Sequence, residues 1–295
     1  MGKSAEMARR LRELLSRKQM LIMVAAYDGI SAKVVEKEGF EAIWLTGFGV
    51  AASLLGQPDV GLVTMSEMVM MTKYMANCVD IPVMVDADTG YGNPLNVWRT
   101  VKELEIAGAA GIHLEDQVFP KKCGHFGGKE FISAEEMAYK IKAIREASES
   151  GLVIKARTDV NSVYGLEEAI RRAKIYREAG ADIITVETPK NIDELKEIRR
   201  SIDGWVSSAI LPPSAKMGMF TRPGLEELGI NMAIVQVLFK VAPVAFRSVL
   251  REFKENGSIE ESLSKMVSLS EISGLMGIEK INELEKKFNL QVSST

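Results

Sequence analysis

A short apolar run followed by an amphipathic segment recurs along most of this 295-residue chain, and that alternation constrains its fold more than any other feature. Apolar runs occupy residues 20–26, 42–46, 83–85, 111–114, 152–156, 183–186, 205–211 and 232–238. Each is nearly continuous rather than alternating. Such runs form strands buried on both faces, as in parallel sheets. Segments with helical spacing fall between them, at 31–38, 66–76, 96–107, 134–147, 166–179, from Asn191 onward and at 223–228. Asn191 has the side chain of an N-cap, and Gly180 stands where a helix C-cap favours glycine. The joints Ala107-Gly108-Ala109-Ala110-Gly111 and Ala179-Gly180-Ala181-Asp182 are near copies. Eight parallel strand–helix units close into a barrel. The sequence therefore predicts an α/β fold, a (β/α)8 TIM-type barrel. Three more helical segments, 243–254, 260–269 and 277–288, exceed what one barrel needs. No low-complexity linker interrupts the chain. Residues 1–295 therefore read as a single barrel domain with a C-terminal helical extension from about 242, able to pack on its own chain or at a subunit interface.

Composition narrows the function. A formal net charge of −3 gives no basic surface for nucleic acid. No run of 18 apolar residues argues for a membrane span, and the start lacks the apolar core of a secretory signal. The two cysteines, Cys78 and Cys123, make no disulfide framework, which suits a reducing cytoplasm. Cys78 lies among apolar residues and reads as a small core residue.

Polar residues gather at the C-terminal ends of the expected strands, the rim that carries the active site in such barrels. Thr46-Gly47 ends the second strand, Asp86 and Asp88 the third and Glu115-Asp116 the fourth. Arg157-Thr158-Asp159 ends the fifth and Glu187 the sixth. Carboxylates concentrated on adjacent strands, Asp86, Asp88 and Glu115, repel one another unless a cation sits among them. A hard ion with oxygen ligands, Mg²⁺ or Mn²⁺, fits that donor set, with Asp59 as a further candidate. The His and Cys spacing of a zinc site is missing. Cys123 is flanked by Lys121, Lys122 and His125, cations that favour a thiolate able to act as nucleophile or proton donor. Gly124, Gly127 and Gly128 suit a closing loop. Arg157 can grip a carboxylate or phosphate, or pair with Glu187 or Asp159. His113, inside a strand, has a structural reading beside a binding one.

Four segments resemble the phosphoenolpyruvate mutase/isocitrate lyase superfamily: Val85-Asp-Ala-Asp-Thr-Gly-Tyr-Gly, Gly111-Ile-His-Leu-Glu-Asp-Gln, Lys121-Lys-Cys-Gly-His and Ala156-Arg-Thr-Asp. The similarity runs from about residue 20 to residue 250. Lys-Lys-Cys-Gly-His resembles the catalytic loop of the lyase branch, and the Gly56-Gln-Pro-Asp-Val-Gly stretch the short 2-methylisocitrate lyases. The resemblance implies Mg²⁺ held by Asp86, with Asp59, Asp88 and Glu115 helping through water. It implies Thr46, Gly47 and Phe48 against a bound 2-oxoacid, Arg157 on a substrate carboxylate and Cys123 handling a proton. Lys122 and His125 join the expected catalytic set; Trp44, His113, Lys121, Gly124 and Glu187 join the binding set. It further implies a homotetramer that exchanges a helix between subunits. The activity implied is cleavage of a 2-hydroxy-polycarboxylate such as 2-methylisocitrate to a 2-oxoacid plus a carboxylic acid. Two departures leave other superfamily reactions open: a smaller substrate such as 2,3-dimethylmalate, oxaloacetate decarboxylation or a phosphonomutase. Trp44 stands where the 2-methylisocitrate lyases carry Tyr. The stretch Ser207-Ser-Ala-Ile-Leu-Pro-Pro-Ser-Ala-Lys lacks their Asn and Glu, with Ser208, Ser214 and Lys216 as candidate replacements.

Overall fold

The computed structural model describes residues 2–123, 127–210 and 221–288. Strands β1 (Leu21–Ala26), β2 (Ile43–Leu45), β3 (Val83–Asp86), β4 (Gly111–Glu115), β5 (Val153–Thr158), β6 (Ile183–Val186), β7 (Trp205–Ala209) and β8 (Met232–Val235) pair in parallel around a closed barrel. β1 closes on β8 through Leu21–Met232 and its successors. The expected barrel is borne out. Most strands end within two residues of the apolar runs. The largest difference is at β8, because Leu238 already opens a helix.

Helices α1 (Lys3–Leu15) and α2 (Gly29–Lys37) flank β1, and the short α3 (Gly47–Val50) follows β2. α4 (Met65–Cys78), α5 (Pro94–Ala107) and α6 (Ala134–Ala147) carry the expected segments, with Thr64, Asn93 and Ser133 as side-chain caps. α7 (Asn161–Tyr164), α8 (Leu166–Glu178), α9 (Ile192–Ser201) and α10 (Arg222–Glu227) follow. Asn191 caps α9 by accepting from the Asp193 and Glu194 N–H groups. Cys78 is the last residue of α4 and only half-buried, so it is not the core residue its neighbours suggested.

The sequence reading missed α1. Its Leu11, Leu14 and Leu15 are buried against Leu21, Met23, Met84, Val153, Ile183 and Met232, the residues lining the N-terminal end of the barrel. Side chains alternate along a strand, so each strand's inward set runs from that apolar floor toward a polar rim. β5 presents Val153, Lys155 and Arg157; β4 presents Gly111, His113 and Glu115; β6 presents Ile183 and Thr185, with Glu187 beyond its end. Gly111 is required: a Cβ there would lie 2.8 Å from both Met84 Cε and the Val153 carbonyl oxygen.

The chain forms two compact units, Met1–Val237 and Leu238–Thr295. The second contains α11 (Leu238–Asn256), a 3₁₀ turn at Glu260–Lys265, α12 (Leu269–Leu275) and α13 (Ile278–Lys287). α11 starts before Pro243, which lies inside it and forgoes one helical hydrogen bond. The segment expected as one helix over 260–269 is instead the 3₁₀ turn, followed by α12 capped by Ser268. Among the described residues no helix is long and apolar enough to cross a membrane.

Candidate active site

The C-terminal rim of the barrel gathers most of the residues the sequence singled out. Asp86 ends β3, buried, and accepts the Gly47 N–H at 3.3 Å on Oδ2 and the Asp88 N–H at 3.2 Å on Oδ1. Asp88 sits in the left-handed region at φ 48°, a conformation Asp tolerates better than most residues. Thr46 caps α3, whose first residue is Gly47. A Cβ on Gly47 would lie 3.2 Å from Asp86 Oδ2 and 3.3 Å from Asp88 Oδ1. Glycine therefore keeps open the space facing those two carboxylates.

Lys121 Nζ, buried, lies 2.5 Å from Asp59 Oδ1 and 3.1 Å from Asp88 Oδ1. The second contact is an ion pair without hydrogen-bond geometry, and Asp88 Oδ1 has no hydrogen-bond donor among the described residues. Burial, reinforced by Asp86 and Asp59 against the pull of Lys121, pushes the Asp88 carboxyl up to about 7. Burial likewise holds Glu115 well above the usual carboxylate range, although Arg157 and Lys121 oppose it. Burial works against the Lys121 ammonium, yet Asp88, Glu115, Asp86 and Asp59 together hold its pKa well above normal. Burial is the first cause of both upward shifts, with Lys121 and Arg157 working against it.

Arg157 is clamped by Asp159 through two 2.8 Å hydrogen bonds, from Nε and Nη2. Its Nη1 lies 3.3 Å from Glu115, and its Nε 3.6 Å from Glu187. Both pairings foreseen from the sequence are present. The Glu187 N–H donates to the Thr158 carbonyl, and Thr188 after it takes φ 52°, a strained value for a β-branched residue. Lower in the barrel, Trp44 packs edge-on to His113 with ring centroids 4.9 Å apart. Phe48 is half-buried on α3.

The Cys123 N–H donates to the Asp59 carbonyl at 3.2 Å, which ties the backbone of the cysteine to the acidic cluster. Lys122 is exposed and donates to the Gly128 carbonyl at 2.7 Å, so Lys121 is the lysine of this pair that reaches the carboxylates. Gly124 and His125 lie outside the described residues, as do Ser214 and Lys216. Ser208 is buried on β7.

Sequence reasoning did not foresee the roles of three residues. Gln117 accepts the Lys122 N–H at 3.0 Å and donates to the Lys122 carbonyl at 2.9 Å and to Glu115 at 3.1 Å. It joins the root of the cysteine loop to the acidic rim. Asp116, though beside Glu115, turns away and is structural: it accepts from Thr158, Tyr176, Arg172 and the Asp159 N–H. Lys155 is a buried lysine in an otherwise apolar run, and that exception was itself a signal.

A hard divalent cation fits this donor set, with oxygen ligands and a Cβ-free opening over Asp86 and Asp88. Among the described residues no three acidic, histidine or cysteine side chains are close enough to hold one ion directly. Any ion held here would therefore keep water among its ligands.

Residues 11–254 match the family described as phosphoenolpyruvate phosphomutase. The chain belongs to the phosphoenolpyruvate mutase/isocitrate lyase superfamily. Among its superfamily relatives, the 2,3-dimethylmalate lyase of Eubacterium barkeri is 43% identical over 95% of this chain and 98% of its own. The 2-methylisocitrate lyase of Aeropyrum pernix is 41% identical over 90% of this chain and 86% of its own. A phosphonopyruvate hydrolase, solved with oxalate and Mg²⁺, superimposes with a TM-score of 0.85 at 31% identity, covering 98% of this chain and 99% of that one. The superfamily assignment made from the sequence motifs is borne out.

Proposed function

We propose that this carbon–carbon lyase cleaves a 2-hydroxycarboxylate by a retro-aldol reaction, releasing a 2-oxoacid such as pyruvate and a second carboxylic acid. The observation that carries this reading is the buried carboxylate cluster gathered around Lys121, facing an arginine clamped in place by Asp159. Asp86, with Asp59, Asp88 and Glu115 acting through water, would hold Mg²⁺ or Mn²⁺, which would supply Lewis acidity for losing a hydroxyl proton and for stabilising a 2-oxoacid. The substrate hydroxyl gives its proton to the acidic cluster. The bond between the hydroxyl carbon and its neighbour then breaks, and its electron pair goes to the carbon beside the departing carboxylate. Cys123 protonates that carbon, which completes the second acid. Arg157 binds a substrate carboxylate, its orientation fixed before the ligand arrives. Thr46, Gly47 and Phe48 border the 2-oxoacid, and the backbone bond from Cys123 to Asp59 keeps the cysteine beside the cluster.

Within this class the end of β7 favours a small dicarboxylate. Residues 207–216 contain no Asn, Glu or Arg, which leaves Ser208, Ser214 and Lys216 as the polar groups for any third carboxylate. A malate-type acid such as 2,3-dimethylmalate therefore suits the site better than 2-methylisocitrate, and the relative at 43% identity bears that name. The protein works in a reducing compartment such as the cytoplasm, in keeping with cysteines outside any disulfide.

A metal-dependent cleavage screen over 2,3-dimethylmalate, 2-methylisocitrate, isocitrate and oxaloacetate, with products identified, tests the reading. Cleavage of a 2-hydroxy acid, abolished by EDTA and restored by Mg²⁺, is expected. Turnover of phosphonopyruvate alone, followed by phosphorus NMR, would replace it with phosphonate chemistry.

A further inference from the structure

The turn that leaves β6 is held in a shape its own residues resist. Thr188 takes φ 52° there, although it is β-branched and stands before Pro189, and both features favour extended backbone. Its hydroxyl does nothing to hold it: Oγ1 is buried and has no hydrogen-bond partner among the described residues. The restraint comes from the end of β5. The Glu187 N–H donates to the Thr158 carbonyl at 2.9 Å. Asn161, buried at the start of α7, donates from Nδ2 to the Thr188 carbonyl at 3.0 Å. The direction of that bond is fixed, because a carbonyl oxygen can only accept. Nδ2 also donates to Glu194 Oε2 at 3.2 Å, and the same oxygen accepts the Lys190 N–H at 2.8 Å, which ties the far side of the turn to α9. Asn161 Oδ1 is buried without a partner among the described residues. The side chain thus directs its hydrogen bonds at the turn and leaves its oxygen unsatisfied, a cost to the fold. Backbone strain persists only where the surroundings impose it, and it concentrates at functional sites. Here the strained residue follows Glu187, whose carboxylate lies 3.6 Å from Arg157 Nε. The end of β5 therefore holds both partners of that ion pair: Asp159 clamps the guanidinium, and Asn161 the turn behind the carboxylate.

We propose that Asn161 is a positioning residue that holds the Thr188 turn so that Glu187 stays beside Arg157 and, with Asp159 and Glu115, fixes the guanidinium for a substrate carboxylate. Asn161 does not touch the substrate; it acts through the Thr188 carbonyl. Without it the turn relaxes toward the extended backbone that a residue before proline prefers, and Glu187 leaves the arginine. The proposal rests on the reading of Arg157 as the carboxylate-binding group, but the turn itself can be observed without any turnover.

Crystal structures and kinetics of Asn161→Ala, alone and combined with Thr188→Gly, test it, with oxalate and Mg²⁺ as the binding probe. In Asn161→Ala we expect Thr188 to lose its positive φ and the Glu187–Arg157 ion pair to open. Oxalate affinity should fall about tenfold, the scale of one hydrogen bond. KM for the cleaved acid should rise similarly, with kcat changed less than about threefold, because the reacting atoms are untouched. Glycine takes positive φ freely, so in the Thr188→Gly background the same Asn161→Ala change should cost less than about twofold. A general loss of packing would cost the same in both backgrounds, and that result would overturn the proposal. So would an Asn161→Ala protein that keeps the positive φ and the ion pair, or one whose oxalate affinity and KM match the wild type. If Asn161→Ala does not fold, Glu194→Ala, which frees the Asn161 amide from α9, decides the matter. A loss of oxalate affinity of about threefold, suppressed by Thr188→Gly, supports the proposal, and no loss or an equal loss in both backgrounds overturns it. Failure of the cleavage screen with the turn behaving as expected would refute the lyase reading and leave the Asn161 clamp standing.

Discussion

Single side chains in this barrel are held in states that their neighbours impose. Burial, aided by Arg157 and opposed by Glu187, Asp86 and Glu115, lowers Lys155 to about 7. For a lysine this means that between pH 7 and its ordinary value the unfolded chain holds more protons than the folded one. Stability then rises with pH across that window, and the cost of burying the charge is fully present below it. Replacing Lys155 with Met, close in shape and uncharged, should therefore stabilise the fold at pH 7 by on the order of 3 kcal/mol. The gain should fade toward pH 10. Denaturant unfolding of both proteins at pH 6, 7, 8.5 and 10 would check it; a variant no more stable at pH 7, or a difference independent of pH, would refute the assignment. Cys123 supplies the opposite test. Cys123→Ser keeps the size and removes the acidity, so kcat should fall about 10²–10⁴-fold while oxalate affinity stays within a few fold. Undiminished turnover would remove the thiol from the reaction.

Between residue and molecule, the elements that matter are the strand ends and the loop rooted on them. Gln117 and Phe131 bridge the two sides of that loop, and the Val118 N–H bonds the Glu130 carbonyl at 2.8 Å. Gln117 adds the link from Lys122 to Glu115. Gln117→Leu keeps the bulk and leaves Lys122 without either backbone partner. We expect faster proteolysis within residues 121–128 and a kcat about 10–100-fold lower, since misplacing a catalytic group by an ångström is that costly. Oxalate binding should persist. Equal protease sensitivity and equal kcat would show that Gln117 does not hold the loop. Such an element is only partly legible in a sequence. The buried strands were readable because parallel strands are apolar on both faces, and Asp86, Asp88, Glu115 and Arg157 because their charges interrupt those runs at one end. Gln117 was not, since its role depends on a loop folding back onto it. α1 was missed because a helix that plugs a barrel has no strand of its own before it to mark its place. Asp116 and Glu115 are adjacent in sequence and opposite in role, and only the alternation of the strand end separates them.

At the scale of the whole molecule, the apolar surface of the Leu238–Thr295 unit is what a single chain leaves unexplained. No residue of α11 is buried, and Val241, Val244, Phe246, Leu250 and Phe253 are each more than half exposed along 19 residues. On α13, Ile281 and Leu284 are also exposed. Isolated apolar residues on a surface need no explanation, but a helix that carries this many calls for a partner. We expect exchange of this helix between copies in a homotetramer, the arrangement the superfamily resemblance implies, which would seat its apolar face on a second copy. The wild type should run as a tetramer at micromolar concentration by light scattering. The double variant L250E/F253E places two carboxylates on that face and should dissociate it, with a lower melting temperature. Because an obligate assembly draws stability from its concentration, the melting temperature of the wild type should rise with protein concentration while that of the variant should not. A wild-type monomer whose melting is independent of concentration would mean that this face is covered by something other than its own kind.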